Sequence, residues 1–72
     1  MNINLKKIDI RLKELRVKHN LTQREVANIL NITSSTYSKY ENGKLVLSFS
    51  KLIALANLYN VSADYILDFK VP

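Results

Sequence analysis

TQREVANILNITSSTYSKYENGK, residues 22–44, carries the start and stop signals of two short helices joined by a tight turn. Thr22 is an N-cap residue type and Glu25 follows three positions later, the spacing of a capping box. Leu21 before the cap and Val26 at the fourth helical position are placed as a hydrophobic staple. Val26, Ala27 and Leu30 fall on one helical face. The helix is expected to stop near Asn31, because Asn tolerates the left-handed conformation that helix ends need. The same signals then repeat. Ile32 precedes the cap residue Thr33, Tyr37 takes the fourth helical position, Tyr37, Tyr40 and Glu41 share a face, and Gly43 closes the second helix as its C′ residue.

The opposite face of this second helix carries Ser34, Ser35, Ser38, Lys39 and Asn42 at i, i+1, i+4, i+5 and i+8. It is a stripe of short hydrogen-bonding side chains and one cation, with no acid. Such groups can approach base edges in a major groove wide enough to admit a helix. An ordinary solvated face has the same composition, and the stripe alone favours that plainer reading. Two paired helices, a small Ala27 where they approach, and a basic chain together shift the balance toward nucleic acid.

The stretch resembles the helix-turn-helix of phage repressor and Cro proteins, the Xre-type regulators. The matching residues are Leu21-Thr22-Gln23, Glu25, Ala27, Leu30, Ile32, and the run Ser38-Lys39-Tyr40-Glu41-Asn42-Gly43-Lys44. The likeness extends from about Ile8 to Leu67. Asn20 and Asn31 stand where the family usually has Gly, and Ser34 and Ser35 are small where many relatives carry longer side chains. The resemblance implies an all-α, five-helix, lambda-repressor-like bundle with the helix-turn-helix at its second and third helices. It implies a sequence-specific double-stranded-DNA-binding regulator, a repressor, in which Gln23 holds a phosphate. Ser34, Ser35 and Lys39 would face bases with Thr36 and Ser38 at the margin, and Asn42 and Lys44 would hold the backbone. It also implies an ion pair between Arg16 and Glu41.

Around this centre the chain is short. Its 72 residues allow one domain spanning 1–72, with a core of about 5–68. With 47% hydrophobic and 24% charged residues the composition is that of an ordinary globular domain. The absence of Cys excludes disulfides and thiolate metal sites and fits a cytoplasmic setting. Neither a signal peptide nor a membrane-length apolar run is visible. The net charge of +5 suggests a polyanionic partner. Residues 1–20 carry a local +4, residues 21–50 a local +1, and residues 51–72 are neutral, so the basic excess leads into the helix pair.

The remaining signals are helical. Asn4 is a candidate N-cap for a first helix from about Leu5 to His19, with Leu5, Ile8, Leu12 and Leu15 as its buried stripe. Lys6 and Lys7 could meet phosphate, and the lone His19 reads as structural. Ser48, between Leu47 and Leu52, caps a helix to about Tyr59 that is expected to bury Phe49, Leu52, Ile53, Leu55, Ala56 and Tyr59 in part. Val61, Ser62 and Ile66 repeat the pattern for a short helix over Ala63–Asp68.

Nothing in the chain points to catalysis, a metal or another cofactor. Ser34, Ser35 and Ser38 have no His base within the motif, and one Gly cannot build a phosphate loop. The competing functions are therefore binding functions: a DNA-binding regulator, a protein-interaction module such as an antitoxin or anti-repressor, and a non-specific nucleic-acid binder. No small-molecule ligand is indicated. A single recognition helix covers few base pairs, so a homodimer on a pseudo-palindromic site is expected, with Tyr65, Phe69 and Val71 at the neutral C-terminal end as candidate contacts.

Overall fold

The computed structural model describes residues 5–67, with side chains from residue 8 onward. It is all-α. Among the described residues there are five helices: α1 (Leu5–Lys18), α2 (Gln23–Leu30), α3 (Ser34–Glu41), α4 (Phe49–Tyr59) and α5 (Ala63–Leu67). The candidate cap Asn4, the side chains of Leu5, Lys6 and Lys7, and Asp68 lie outside the description.

Three of the four connections have the same chemistry. Asn20-Leu21-Thr22, Asn31-Ile32-Thr33 and Asn60-Val61-Ser62 each place Asn, then an apolar residue, then a hydroxyl. The three Asn residues have φ of 58°, 59° and 55°, the left-handed region that Asn enters more readily than other side chains. Each following amide closes the helix behind it: Leu21 N–H donates to Arg16 O at 3.1 Å, Ile32 to Ala27 O at 2.9 Å, and Val61 to Ala56 O at 3.0 Å. This is the Schellman pattern, which satisfies carbonyls the helix end would otherwise orphan. The hydroxyl then opens the next helix. Thr22, Thr33 and Ser62 accept the amides of Glu25, Thr36 and Tyr65. Thr22 makes a full capping box, since Glu25 Oε1 accepts the Thr22 amide at 2.9 Å. A three-residue connector of this kind turns the chain sharply and returns it to the core.

That core draws on every helix. Leu12 and Leu15 come from α1, Val26, Ala27 and Leu30 from α2, Tyr37 and Tyr40 from α3, Leu52, Leu55, Ala56 and Tyr59 from α4, and Ile66 from α5. Ile8, Leu21, Ile32, Leu47 and Val61 pack around it. The closest helix pairing is α2 with α3, and α1 lies against both α3 and α5. Ala27, fully buried, lets α2 and α3 approach. His19 has a structural place: its Nδ1 lies 2.9 Å from Leu15 O and its ring 5.0 Å from that of Tyr59.

Helix α4 differs from its sequence reading. Phe49 is 77% exposed and Ile53 also faces out. Leu52, Leu55, Ala56 and Tyr59 follow i, i+3, i+4, i+7 and fill the space against the core. Phe49 and Ile53 lie at the edge of that stripe, Phe49 with most of its surface in water and Ile53 37% exposed. The helix is instead held at its start by Lys51, whose Nζ donates to Leu30 O at the end of α2 (2.9 Å).

Candidate nucleic-acid interface

Helix α3 has one acid, and the fold removes it from the outer face. The Glu41 side chain is only 3% exposed. Arg16 of α1 grips it in a fork, Nε to Oε2 at 2.7 Å and Nη2 to Oε1 at 3.2 Å. The third guanidinium nitrogen, Nη1, donates to Leu21 O at 2.9 Å. Gln23, the first residue of α2, donates its amide Nε2 to Glu41 Oε1 at 3.2 Å. One carboxylate therefore joins α1, α2 and α3. Burial alone would push the Glu41 carboxyl up, but the Arg16, Tyr37 and Gln23 side chains facing it outweigh that and its pKa lies below the ordinary 4.5.

Beneath this clamp the hydroxyls of Tyr37 and Tyr59 are buried without a hydrogen-bond partner among the described residues. Burial, reinforced by the Glu41 carboxylate, raises the Tyr37 pKa far above the ordinary tyrosine range. The clamp is the main cross-helix fastening found that the local sequence patterns do not contain. The Gln23–Glu41 bond spans 18 residues, and no local spacing signals it.

With Glu41 turned inward, the outer face of α3 holds Ser35 and Lys39 exposed and Ser34, Thr36 and Ser38 half-buried. Thr36 is tied into the cap, its Oγ1 accepting from Thr33 Oγ1 at 2.8 Å. Ser38 Oγ accepts from Asn42 Nδ2 at 3.3 Å. Ser34, Ser35 and Lys39 form the free part of the stripe. The chain leaves α3 through Asn42 and Gly43, whose φ is +72°. A Cβ there would also meet Asp9 Oδ2 at 3.0 Å, so α1 abuts the turn. Lys44 N–H donates to Lys39 O at 2.9 Å, which places exposed Lys44 directly past the end of α3. Gln23 is half-buried at the start of α2, one amide hydrogen committed to Glu41. The arrangement is a polar, acid-free helix face with a cation on it, a second cation at its C-terminal end, and an amide side chain on the neighbouring helix.

Other sequence candidates are placed elsewhere. Tyr65 is exposed on α5, with the Arg11 guanidinium 4.4 Å over its ring. Phe69 and Val71 lie outside the described residues. Among the described residues there is no group of acids and His that could hold a metal ion, and no helix long and apolar enough to cross a membrane.

Comparison with known proteins gives consistent results. A helix-turn-helix family model matches residues 12–66. The uncharacterized HTH-type transcriptional regulator YobD of Bacillus subtilis (strain 168) is 44% identical over 57 residues, 79% of this chain and 51% of that protein. The HTH-type transcriptional regulator ImmR of the same organism is 47% identical over 57 residues, 79% of this chain and 45% of that protein. The chain thus spans about half the length of these relatives. A transcriptional regulator from Listeria innocua has the same fold, with a TM-score of 0.85 over the whole of this chain and 64% of that one at 24% identity.

Proposed function

Because this chain belongs to the Xre-type helix-turn-helix family of phage repressor and Cro proteins, we propose that it is a sequence-specific DNA-binding transcriptional regulator acting as a repressor. The observation that carries this reading is the outer face of α3. Its one acid is locked inward by Arg16, and short donors with one Lys are left facing out. In this reading α3 enters the major groove. Ser34, Ser35 and Lys39 meet base edges, Thr36 and Ser38 lie at the groove margin, and Asn42 and Lys44 hold the phosphates at the C-terminal end. Gln23 holds a phosphate at the start of α2 with the amide hydrogen that Glu41 leaves free, helped by the partial positive charge of the helix N-terminus.

One recognition helix reads few base pairs, so two copies on a pseudo-palindromic operator are the natural working unit. The net charge of +5 supplies sequence-independent attraction and makes binding fall steeply with salt. The setting in this reading is the cytoplasm, where DNA is accessible. The family is one of DNA-binding regulators rather than enzymes, and no catalytic step is proposed.

Selection of bound duplexes from a random pool tests the reading. A defined consensus with two-fold symmetry is expected, and equal recovery of all sequences would overturn it. On the selected duplex, Lys39→Ala should cost roughly 1–3 kcal/mol and relax the preference at one position. Lys44→Ala should weaken all duplexes alike and lower the salt slope by about one.

A further inference from the structure

Of the eight Asn residues in the chain, seven stand directly before Ile, Leu or Val, and one, Asn42, stands before the single Gly. The difference bears on a reaction open to any Asn, attack of the next residue's backbone nitrogen on its side-chain carbonyl. A branched side chain crowds that nitrogen and stiffens the chain around it. Gly43 has no side chain to crowd it and is the least restrained residue type.

The fold sharpens the contrast. Asn28 and Asn57 lie within α2 and α4. After Asn20, Asn31 and Asn60 the next amide is tied to a helix carbonyl, at 3.1, 2.9 and 3.0 Å. The Gly43 amide is held less closely, 3.4 Å from Tyr40 O. Asn42 and Gly43 are both exposed, and the Asn42 side chain is held by a 3.3 Å bond to Ser38 Oγ. One restraint opposes the reaction. Asn42 ψ is 0°, which turns the Gly43 nitrogen aside from Asn42 Cγ, and Lys44 N–H closes the turn on Lys39 O at 2.9 Å. The turn must open before the two atoms meet. Helix ends open locally far more often than the whole fold does.

We propose that Asn42–Gly43 is a modification site at which this chain deamidates spontaneously, placing an acid on the face of α3 that otherwise has none. In the first step the Gly43 nitrogen gives up its proton and bonds to Asn42 Cγ. The Cγ–Nδ2 bond breaks and ammonia leaves with that proton, closing a succinimide ring. Water then opens the ring. Its oxygen bonds to one of the two ring carbonyl carbons, the bond from that carbon to the Gly43 nitrogen breaks, and the nitrogen takes a proton from the water. Opening at Cγ leaves Asp at position 42. Opening at the backbone carbonyl leaves isoaspartate, whose main chain runs through the former side chain. Both products carry a carboxylate, and water is the only reagent consumed.

The consequence for DNA rests on the proposed function, but the modification does not. A carboxylate accepts hydrogen bonds and donates none, so the amide donor offered to phosphate is lost. The new charge lies between Lys39 and Lys44 in sequence, at a helix C-terminus that is already partly negative. It repels the phosphates that both lysines attract. Isoaspartate also adds a main-chain atom shortly before Lys44. None of these losses depends on base sequence, so a deamidated copy releases every duplex alike.

Peptide mass mapping of the full chain tests the site, with one sample incubated folded at mildly alkaline pH and a second in urea as the clock. In the folded chain Asn42 should convert before every other Asn, about tenfold more slowly than in urea because the turn must open first. Both Asp and isoaspartate should form. A folded chain in which another Asn converts first, or in which position 42 is untouched when the urea sample is complete, would overturn the proposal. The deamidated fraction, separated by charge, should bind the selected duplex roughly tenfold more weakly than the fresh chain, and Asn42→Asp should show the same loss. Asn42→Ser has no amide to lose, so its affinity, whatever its starting value, should hold constant through an incubation in which that of the native chain falls. A deamidated fraction or an Asn42→Asp chain that binds as tightly as the fresh native chain would overturn the effect on DNA. If the fresh chain selects no duplex, the functional reading falls, while the mass map still decides the modification.

Discussion

The α2–α3 unit and the start of α4 are built from the same kinds of signal and end in opposite states. Both open with a hydroxyl cap and carry a Lys near the cap or the helix end. Around α2 and α3, however, each local signal is backed by a long-range bond. The cap of Thr22 is a reciprocal box, the first residue of α2 reaches Glu41, and Glu41 reaches α1. At the start of α4 the Ser48 cap is one-sided, accepting the Lys51 amide at 3.3 Å, and the apolar residues beside it face out. Local signals decide where a helix begins. What packs against it decides which of its apolar residues are covered. The unit fastened by long-range bonds is the one proposed to read DNA.

The largest effect should come from breaking the clamp. Glu41→Ala leaves the Arg16 guanidinium desolvated and unpaired, and removing one partner of such a pair costs about 3–5 kcal/mol. Chemical denaturation measures it, and a loss below about 1 kcal/mol would reduce the clamp to an ordinary surface pair. The pH dependence gives a second readout. Glu41 has a lowered pKa in the fold, so its contribution is fully present above the ordinary 4.5 and fades as pH falls through the folded value. Native chain and Glu41→Gln should therefore differ most near neutral pH and converge in acid below about 4.5. A gap that is constant with pH would show that the charge contributes nothing.

A middle-sized effect separates the two caps. Thr22→Ala removes the side-chain half of a capping box, leaving the residue-22 amide on Glu25 Oε1, and should cost about 1–2 kcal/mol, the upper part of the range for N-caps. Ser48→Ala removes one long bond and should cost about 0.5–1 kcal/mol. Equal losses would mean that the two regions are held alike.

The caps and ends of α2 and α3 were legible before any coordinates. Asn20, Asn31 and Asn60 could be recognised as helix stops because few other side chains adopt left-handed φ at low cost. The acid-free stripe on α3 could also be traced, since helical spacing alone brings Ser34, Ser35, Ser38 and Lys39 together. Three features were not legible. The hydrogen bond from Gln23 to Glu41 depends on how α2 and α3 cross, which no local spacing encodes. The stacking of Arg11 over Tyr65 joins α1 to α5 and is hidden for the same reason. The exposure of Phe49 was missed because apolar periodicity reports the direction of a buried face better than its width. The six α4 residues expected to be buried span an arc broader than the core can cover.

The smallest effect sharpens the comparison most, because it predicts almost nothing where the residue type predicts a great deal. Truncating a buried aromatic costs about 3–5 kcal/mol. Phe49 keeps most of its surface in water, so Phe49→Asp should move stability by no more than about 0.5 kcal/mol. Any change should be upward, because a new acid at the N-terminal turn of α4 interacts favourably with the helix dipole. Leu52, three residues along and buried, is the control: Leu52→Ala should cost about 2–5 kcal/mol. Thermal melts measure both. If Phe49→Asp instead melts far below the native chain, Phe49 belongs to the core after all, and the contrast between the two regions disappears.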